Sequence, residues 1–121
     1  MPSATILRID NILIVTLQDD ATSRDADDLL TQIGDAVVAH AACGVLIDVS
    51  PLSMVDSYVA RSLGSMVVMS RLLGAEAVLA GMRPEVAIAM VELGTDLPHV
   101  ASALNVDFAM ATLRQRAACQ V

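Results

Sequence analysis

Asp56 and Ser57 are the residues of this chain whose types and spacing most clearly permit chemistry. They follow an apolar run at 45–49 that Ser50-Pro51 interrupts, and a second long apolar segment begins directly after them. Ser57 therefore falls at a predicted helix start. A serine there can be a plain N-cap. Its hydroxyl can also accept a phosphoryl group, because free N–H groups at a helix start tolerate an anion. The motif itself leaves both interpretations open.

The composition narrows the classes of partner. The chain has 121 residues, enough for one domain with a single core, and 55% of them are hydrophobic. Its formal net charge is −7, and all seven basic residues are scattered arginines. No basic stripe is available for nucleic acid or for an anionic lipid surface. The longest apolar segment, at 58–73, contains Arg61 and Arg71 and is too short to span a membrane. We predict neither a nucleic-acid partner nor a membrane contact.

The cellular compartment is predicted from the first apolar run and from the cysteines. The run Ile12–Leu17 is too short for the core of a signal peptide. The chain has two distant cysteines, Cys43 and Cys119, and no predicted export signal, which favours a reduced compartment. We therefore expect a cytoplasmic protein with free thiols, in which Cys43 is a small core residue.

Residues 1–121 read as one α/β domain in which strands and helices alternate. Residues 5–9 and 11–17 predict a hairpin, and later strands are expected at 45–49, 76–80 and, at an edge, 100–104. Helices are expected at 23–40, 57–73, 85–93 and 106–116, with Gly74 and Gly94 as stop signals and Asn105 as a cap. Such crossovers call for a mostly parallel sheet of four to five strands covered by about four helices.

Enzymatic chemistry finds little support in the sequence. The chain has no Gly-rich phosphate loop, no lysine for a Walker motif and no nucleophile elbow. A phosphoacceptor receiver domain needs a carboxylate cluster and a lysine, which Asp48 alone does not provide. His40 and His99 lie near the ends of elements, and His40 and Cys43 have the spacing of two metal ligands without a second pair. We predict no catalytic residue, no metal site and no cofactor.

The predicted helix at 57–73 is apolar on two faces. One face forms an inward stripe of Val59, Leu63, Met66, Val67 and Leu73. The other carries Tyr58, Met69 and Leu72, with Ser62 and Ser65 between them. A second apolar face indicates either a partner that covers it or extra core beneath another segment. Both alternatives remain open at this point.

The run from Gly44 to Val49, followed by the run from Met54 to Ala60, resembles the STAS domain, the fold of anti-sigma-factor antagonists. The resemblance extends over essentially the whole chain, through 69–75, 78–87 and 92–94. Together these blocks are similar to the small RsbS-type scaffold subunits of the stressosome.

The resemblance implies a non-enzymatic scaffold whose Ser57 is phosphorylated by an RsbT-type switch kinase and cleared by an RsbX-type phosphatase. It also implies assembly with RsbR-type proteins, in a dimer or a larger assembly. The unmodified scaffold would hold the kinase and release it on phosphorylation, which controls a stress response. We expect the partner-binding face to include Asp56, Tyr58, Met69 and Leu72.

Two alternatives to the scaffold function remain. Free-standing anti-anti-sigma factors usually continue the acceptor with Ser-Gly, whereas Ser57 is followed by Tyr58-Val59-Ala60. That departure favours the scaffold branch over a soluble antagonist that binds an anti-sigma kinase directly. The third alternative is a small-ligand or enzymatic α/β domain, for which Ser57 would be irrelevant.

Overall fold

Five strands and four helices alternate along the part of the chain that the computed structural model describes, residues 4–18, 23–93 and 101–115. The strands are β1 (Ala4–Ile9), β2 (Ile12–Leu17), β3 (Gly44–Asp48), β4 (Glu76–Ala80) and β5 (Ala101–Ala103). The helices are α1 (Ser23–His40), α2 (Ser57–Leu72), α3 (Pro84–Glu92) and α4 (Val106–Gln115). The predicted order of elements is confirmed. Gly94, His99, Cys119 and the predicted helix end at Arg116 lie outside the described residues.

The strands form one sheet in the order β1-β2-β3-β4-β5. β1 pairs antiparallel with β2, and Ile9 faces Ile12 across a tight turn in which Asp10 has a φ of 56°. All later pairs are parallel. The predicted fold class, a mostly parallel α/β sheet with an N-terminal hairpin, is therefore confirmed.

Both faces of β3 are buried, which explains its unbroken apolar run. Val45 and Ile47 point into a core under α1, α2 and α3, whereas Leu46 points to the opposite face, under α4. The first core includes Ile33 of α1 and Leu63 of α2. The hydrophobic helix faces therefore close over the sheet from two sides, as expected for strands joined by helical crossovers.

The loop from β3 to α2 is held at the carboxyl edge of the parallel strands. The backbone N–H of Ser50 donates to Asp48 Oδ1 at 3.0 Å, and Arg83 Nε donates to the Ser50 carbonyl oxygen at 2.9 Å. Gly81, at the end of β4, has a φ of +74°, and a Cβ built there would lie 2.9 Å from the Cβ of Ser50. Only glycine allows this close approach at that backbone conformation. These contacts position the start of α2.

The ends of two helices agree with their predicted signals. Gly74 follows α2 with a φ of +91°, the left-handed conformation that favours glycine after a helix. Asn105 Oδ1 accepts the backbone N–H of Phe108 at 2.9 Å and so caps α4. Within the described residues, no helix combines the length and the apolar character needed to cross a membrane.

Two expectations about side chains are wrong. Cys43 is buried as predicted, but it takes part in a disulfide bond, so it is not a free thiol. Leu73, placed on the inward stripe, is 42% exposed. It is the C-cap of α2, where the helix ends before Gly74, and its Cδ1 lies 3.9 Å from where a Cβ on Gly34 of α1 would be.

Candidate functional site

Asp56 is the N-cap of α2. Its backbone is extended, with φ −91° and ψ 176°, and its Oδ1 accepts the N–H of Val59 at 2.8 Å. The Ala60 N–H then donates to the Asp56 carbonyl oxygen at 3.0 Å, which closes the first helical turn. Asp56 therefore performs the capping task, and the capping alternative for Ser57 is removed.

Ser57 is the first residue of α2, and it is exposed. Its hydroxyl makes no hydrogen bond within the part of the chain that the structure describes. The N–H groups of Ser57 and Tyr58 precede the first intrahelical donor and have no acceptor inside the helix. The hydroxyl is thus open to a visiting protein and lies beside N–H groups that favour an anion.

The face of α2 that points to solvent begins at Ser57. Arg61, Val68 and Leu72 follow it at helical spacing, and all three are exposed; we call these four residues the outward face. The opposite side of α2 packs into the core through Ala60, Leu63, Met66, Val67 and Ser70. Leu72, 81% exposed, is the one member of the outward face among the predicted partner-binding residues.

The flank of α2 between these two faces packs against α1. Tyr58 Oη donates to Asp27 Oδ1 at 2.6 Å. Met69 is half-buried, and its Sδ lies 3.2 Å from where a Cβ on Gly34 would be. The second apolar face is therefore covered by α1 at Tyr58 and Met69, which is the extra-core alternative. At Leu72 it is not covered.

The bond to α1 changes the ionisation of Tyr58. Its hydrogen bond to Asp27 raises the pKa of Tyr58, with smaller contributions in the same direction from desolvation and from the charge of Asp27, whereas Arg61 opposes the rise. A raised pKa in the folded protein means that this contact stabilises the fold below the ordinary tyrosine pKa. The contribution is lost as the pH rises through the pKa of the folded state.

We expect Asp27→Asn to lower the pKa of Tyr58 towards its ordinary value, because the strongest cause of the shift is removed. Tyr58 is the only tyrosine in the chain, so the ultraviolet absorbance of phenolate reports its titration without overlap. Asp28→Asn, at the neighbouring exposed aspartate, is the matched control and should leave the titration unchanged. Equal midpoints for the wild-type and Asp27→Asn proteins would contradict the observed contact.

Two exposed residues beside Ser57 were missing from the sequence prediction. Met54, three residues before Ser57, is 81% exposed. Arg61, also exposed, lies one helical turn after Ser57. The helical spacing of four residues is a signal that could have identified Arg61. Met54 lies in an irregular loop, and no periodicity indicates which way a loop side chain points. The structure thus places an apolar and a cationic side chain on either side of Ser57 along the chain.

Two clefts lie among the described residues. One groove lies between α1 and α2 beside Asp27, Tyr58 and Arg61. A second cleft opens between the ends of β3 and β4 and the start of α4, beside Asp48 and Asp107. Among the residues that the structure describes, no group of three or more His, Cys, Asp or Glu side chains is placed to hold a metal ion.

Comparison with known proteins identifies similar sequences. A family model for the STAS domain matches residues 3–106. The RsbT co-antagonist protein RsbRA of Bacillus subtilis (strain 168) is 35% identical over 91 residues, which are 75% of this chain and 33% of that protein. For the co-antagonist RsbRD of the same organism the identity is 31% over 99 residues, or 81% and 36% of the two chains. This chain spans about a third of the length of these curated relatives.

Solved structures extend the likeness to nearly the whole chain. A serine-to-glutamate variant of RsbS from Moorella thermoacetica superposes with a TM-score of 0.82 at 31% identity, covering 92% of this chain and 94% of that one. A chain in the solved structure of the molecular architecture of the stressosome superposes with a TM-score of 0.77 at 33% identity, covering 91% of this chain and 96% of that one. The unphosphorylated anti-sigma factor antagonist SpoIIAA gives 0.69 at 11% identity, covering 93% and 99%, and shares the fold alone. The chain belongs to the STAS-domain family.

Proposed function

We propose that this chain is a non-enzymatic scaffold of a stressosome, which holds an RsbT-type serine kinase and releases it when Ser57 is phosphorylated. The observation that carries the proposal is the exposed hydroxyl of Ser57, which is left free because Asp56 takes the capping role. The similarity to stressosome chains over nine-tenths of the sequence supports the same assignment. Controlled release of the kinase would then regulate a stress-response pathway.

The added charge would act locally on the contact with the kinase. A phosphate on Ser57 adds about −1.5 to −2 charges beside Asp56. An α-helix rises 1.5 Å per residue, so Val68 and Leu72 are about 16 and 22 Å further along the axis of α2. Screening at physiological salt limits exposed charges to a range of about 8 Å. We infer that the phosphate weakens contacts made by Met54 and by the first turns of α2, whereas Val68 and Leu72 serve as apolar contacts beyond its reach.

The partner-binding residues belong to this proposal in different ways. Asp56 positions the acceptor by capping α2, and Tyr58 ties the first turn of α2 to α1. Leu72 offers exposed apolar surface, whereas the half-buried Met69 offers less. We therefore assign direct contact with the kinase mainly to four exposed residues, which are Met54, Arg61, Val68 and Leu72.

The assembly is proposed on the same grounds. We infer co-assembly with RsbR-type proteins, because the curated relatives are RsbT co-antagonists of that type and a stressosome chain matches at 33% identity. Copies of this chain would themselves form a dimer or a larger assembly, and an RsbX-type phosphatase would reset Ser57. The alternative function is a soluble antagonist that binds an anti-sigma kinase directly. This chain resembles the antagonist SpoIIAA only in its fold.

We place this function in the cytoplasm, where kinase, phosphatase and ATP would meet.

The proposal is tested by intact-mass measurement after incubation with an RsbT-type kinase, ATP and magnesium. We expect one added phosphoryl group on the wild-type protein and none on Ser57→Ala. Ser53→Ala, in the loop before α2, is the matched control and should be modified like the wild type. A phosphoryl group that persists in Ser57→Ala, or an unmodified wild-type protein, would defeat the assignment.

A further inference from the structure

Arg61 is an exposed cation one helical turn after Ser57. Among the described residues, Arg114 forms an ion pair with Asp10. Arg61 has no carboxylate oxygen within 4 Å in the same part of the chain. Arg83 donates to the Ser50 carbonyl oxygen, and Arg71 is fourteen residues from Ser57. Arg61 is therefore the cation of α2 that is available to the region around Ser57.

The helix geometry directs Arg61 towards Ser57. Residues four apart lie on the same face of a helix, about 6 Å apart along the axis. Arg61 lines the groove between α1 and α2 beside Tyr58. Long helical side chains lean towards the N-terminus of their helix, so from there its guanidinium can reach the turn that begins at Ser57. Its planar set of donors matches the oxygens of a phosphate, with which arginine forms paired, charge-assisted hydrogen bonds.

The anions already near Arg61 are engaged elsewhere. The carboxylate of Asp56 accepts the Val59 N–H, and that of Asp27 accepts the Tyr58 hydroxyl. The charge of Arg61 opposes the rise that Asp27 causes in the pKa of Tyr58, so Arg61 lies near the Tyr58–Asp27 pair. Arg61 nevertheless forms no ion pair with Asp27 within 4 Å. A phosphate with nearly two charges is a stronger acceptor than either single, engaged carboxylate.

We propose that Arg61 is the counter-ion of phosphoserine at position 57. Phosphorylation would then change the outward face twice, since it adds an anion and also withdraws the guanidinium that the unmodified protein presents to its partner. The inference deepens the proposed function and rests on it only for the identity of the modified residue.

The test places phosphoserine at position 57 of the full chain by genetic encoding, so that no kinase is needed. The second ionisation of the phosphate is then followed by phosphorus NMR across pH, in the wild-type, Arg61→Gln, Arg61→Lys and Arg71→Gln backgrounds. A neighbouring cation favours the dianion and lowers the phosphate pKa. We expect Arg61→Gln to raise that pKa by about 0.3 units, the shift that corresponds to an exposed pair four residues apart on a helix.

The controls separate a specific pair from the general field. Arg71→Gln makes the same change on the same helix, about 21 Å along the axis from Ser57, and should leave the phosphate pKa unchanged. Arg61→Lys keeps the charge and should retain most of the effect. Equal pKa values for the wild type and Arg61→Gln, or an equal shift in Arg71→Gln, would overturn the proposal. A kinase that does not modify Ser57 would refute the proposed function and leave this result standing.

Discussion

An RsbT-type kinase is expected to remain bound to the Ser57→Ala protein after ATP and magnesium are added, whereas it should leave the wild-type protein. The alanine variant cannot receive the charge, and the cap made by Asp56 remains, so its contact surface is unchanged. Size-exclusion chromatography of the kinase with the scaffold, before and after ATP, measures the retained fraction. Ser53→Ala should behave like the wild type. A kinase that leaves Ser57→Ala as readily as the wild type would place the switch at another residue.

A carboxylate at position 57 should reproduce release only in part. Ser57→Asp adds a single charge on a short side chain, compared with about −1.5 to −2 for phosphate. It also offers Arg61 fewer oxygens. If Ser57→Asp bound the kinase more tightly than the wild type, charge repulsion would be the wrong mechanism.

Leu63→Ala is expected to lower the free energy of unfolding by about 3 kcal/mol, whereas Leu72→Ala should change it by less than about 0.5 kcal/mol. The two substitutions are chemically identical and lie on the same helix. Leu63 is fully buried in the core, and Leu72 is 81% exposed on the outward face. Truncating Leu63 removes buried apolar surface and leaves a cavity, but truncating Leu72 does neither.

Urea denaturation followed by circular dichroism measures both variants against the wild type. The pair also serves the binding experiments, because Leu72→Ala should remain folded while it loses exposed apolar contact with the kinase. Comparable losses of stability in the two variants would mean that α2 presents a different side to the sheet.

The order of elements could be predicted because each one carries its own signals. β4 was predicted at its observed residues, since an apolar run of strand length follows the helix stop at Gly74. α1 also has its predicted bounds, whereas β5 ends at Ala103, one residue before its predicted end; its predicted first residue, Val100, lies outside the described residues. An edge strand next to one partner has few constraints on its length, and its sequence shows no strict alternation.

The side of α2 that each apolar residue occupies could not be predicted from the helix alone. Met69 and Leu72 are both apolar and three residues apart, yet α1 covers Met69 and leaves Leu72 exposed. That difference depends on where α1 crosses α2, a contact between residues about 35 positions apart. The task of Asp56 was likewise open, because Asp and Ser are both good caps and only the backbone at Asp56 shows which of them precedes the helix.

The central claim is that negative charge on Ser57 weakens the contact with the kinase, and its most direct test is a dissociation constant. Calorimetric titration of an RsbT-type kinase into the scaffold assembly would compare this chain with encoded phosphoserine at position 57 and without it. We predict binding at least about tenfold weaker for the phosphorylated form, which corresponds to a loss of about 1.4 kcal/mol. Equal or tighter binding by the phosphorylated form would contradict the claim.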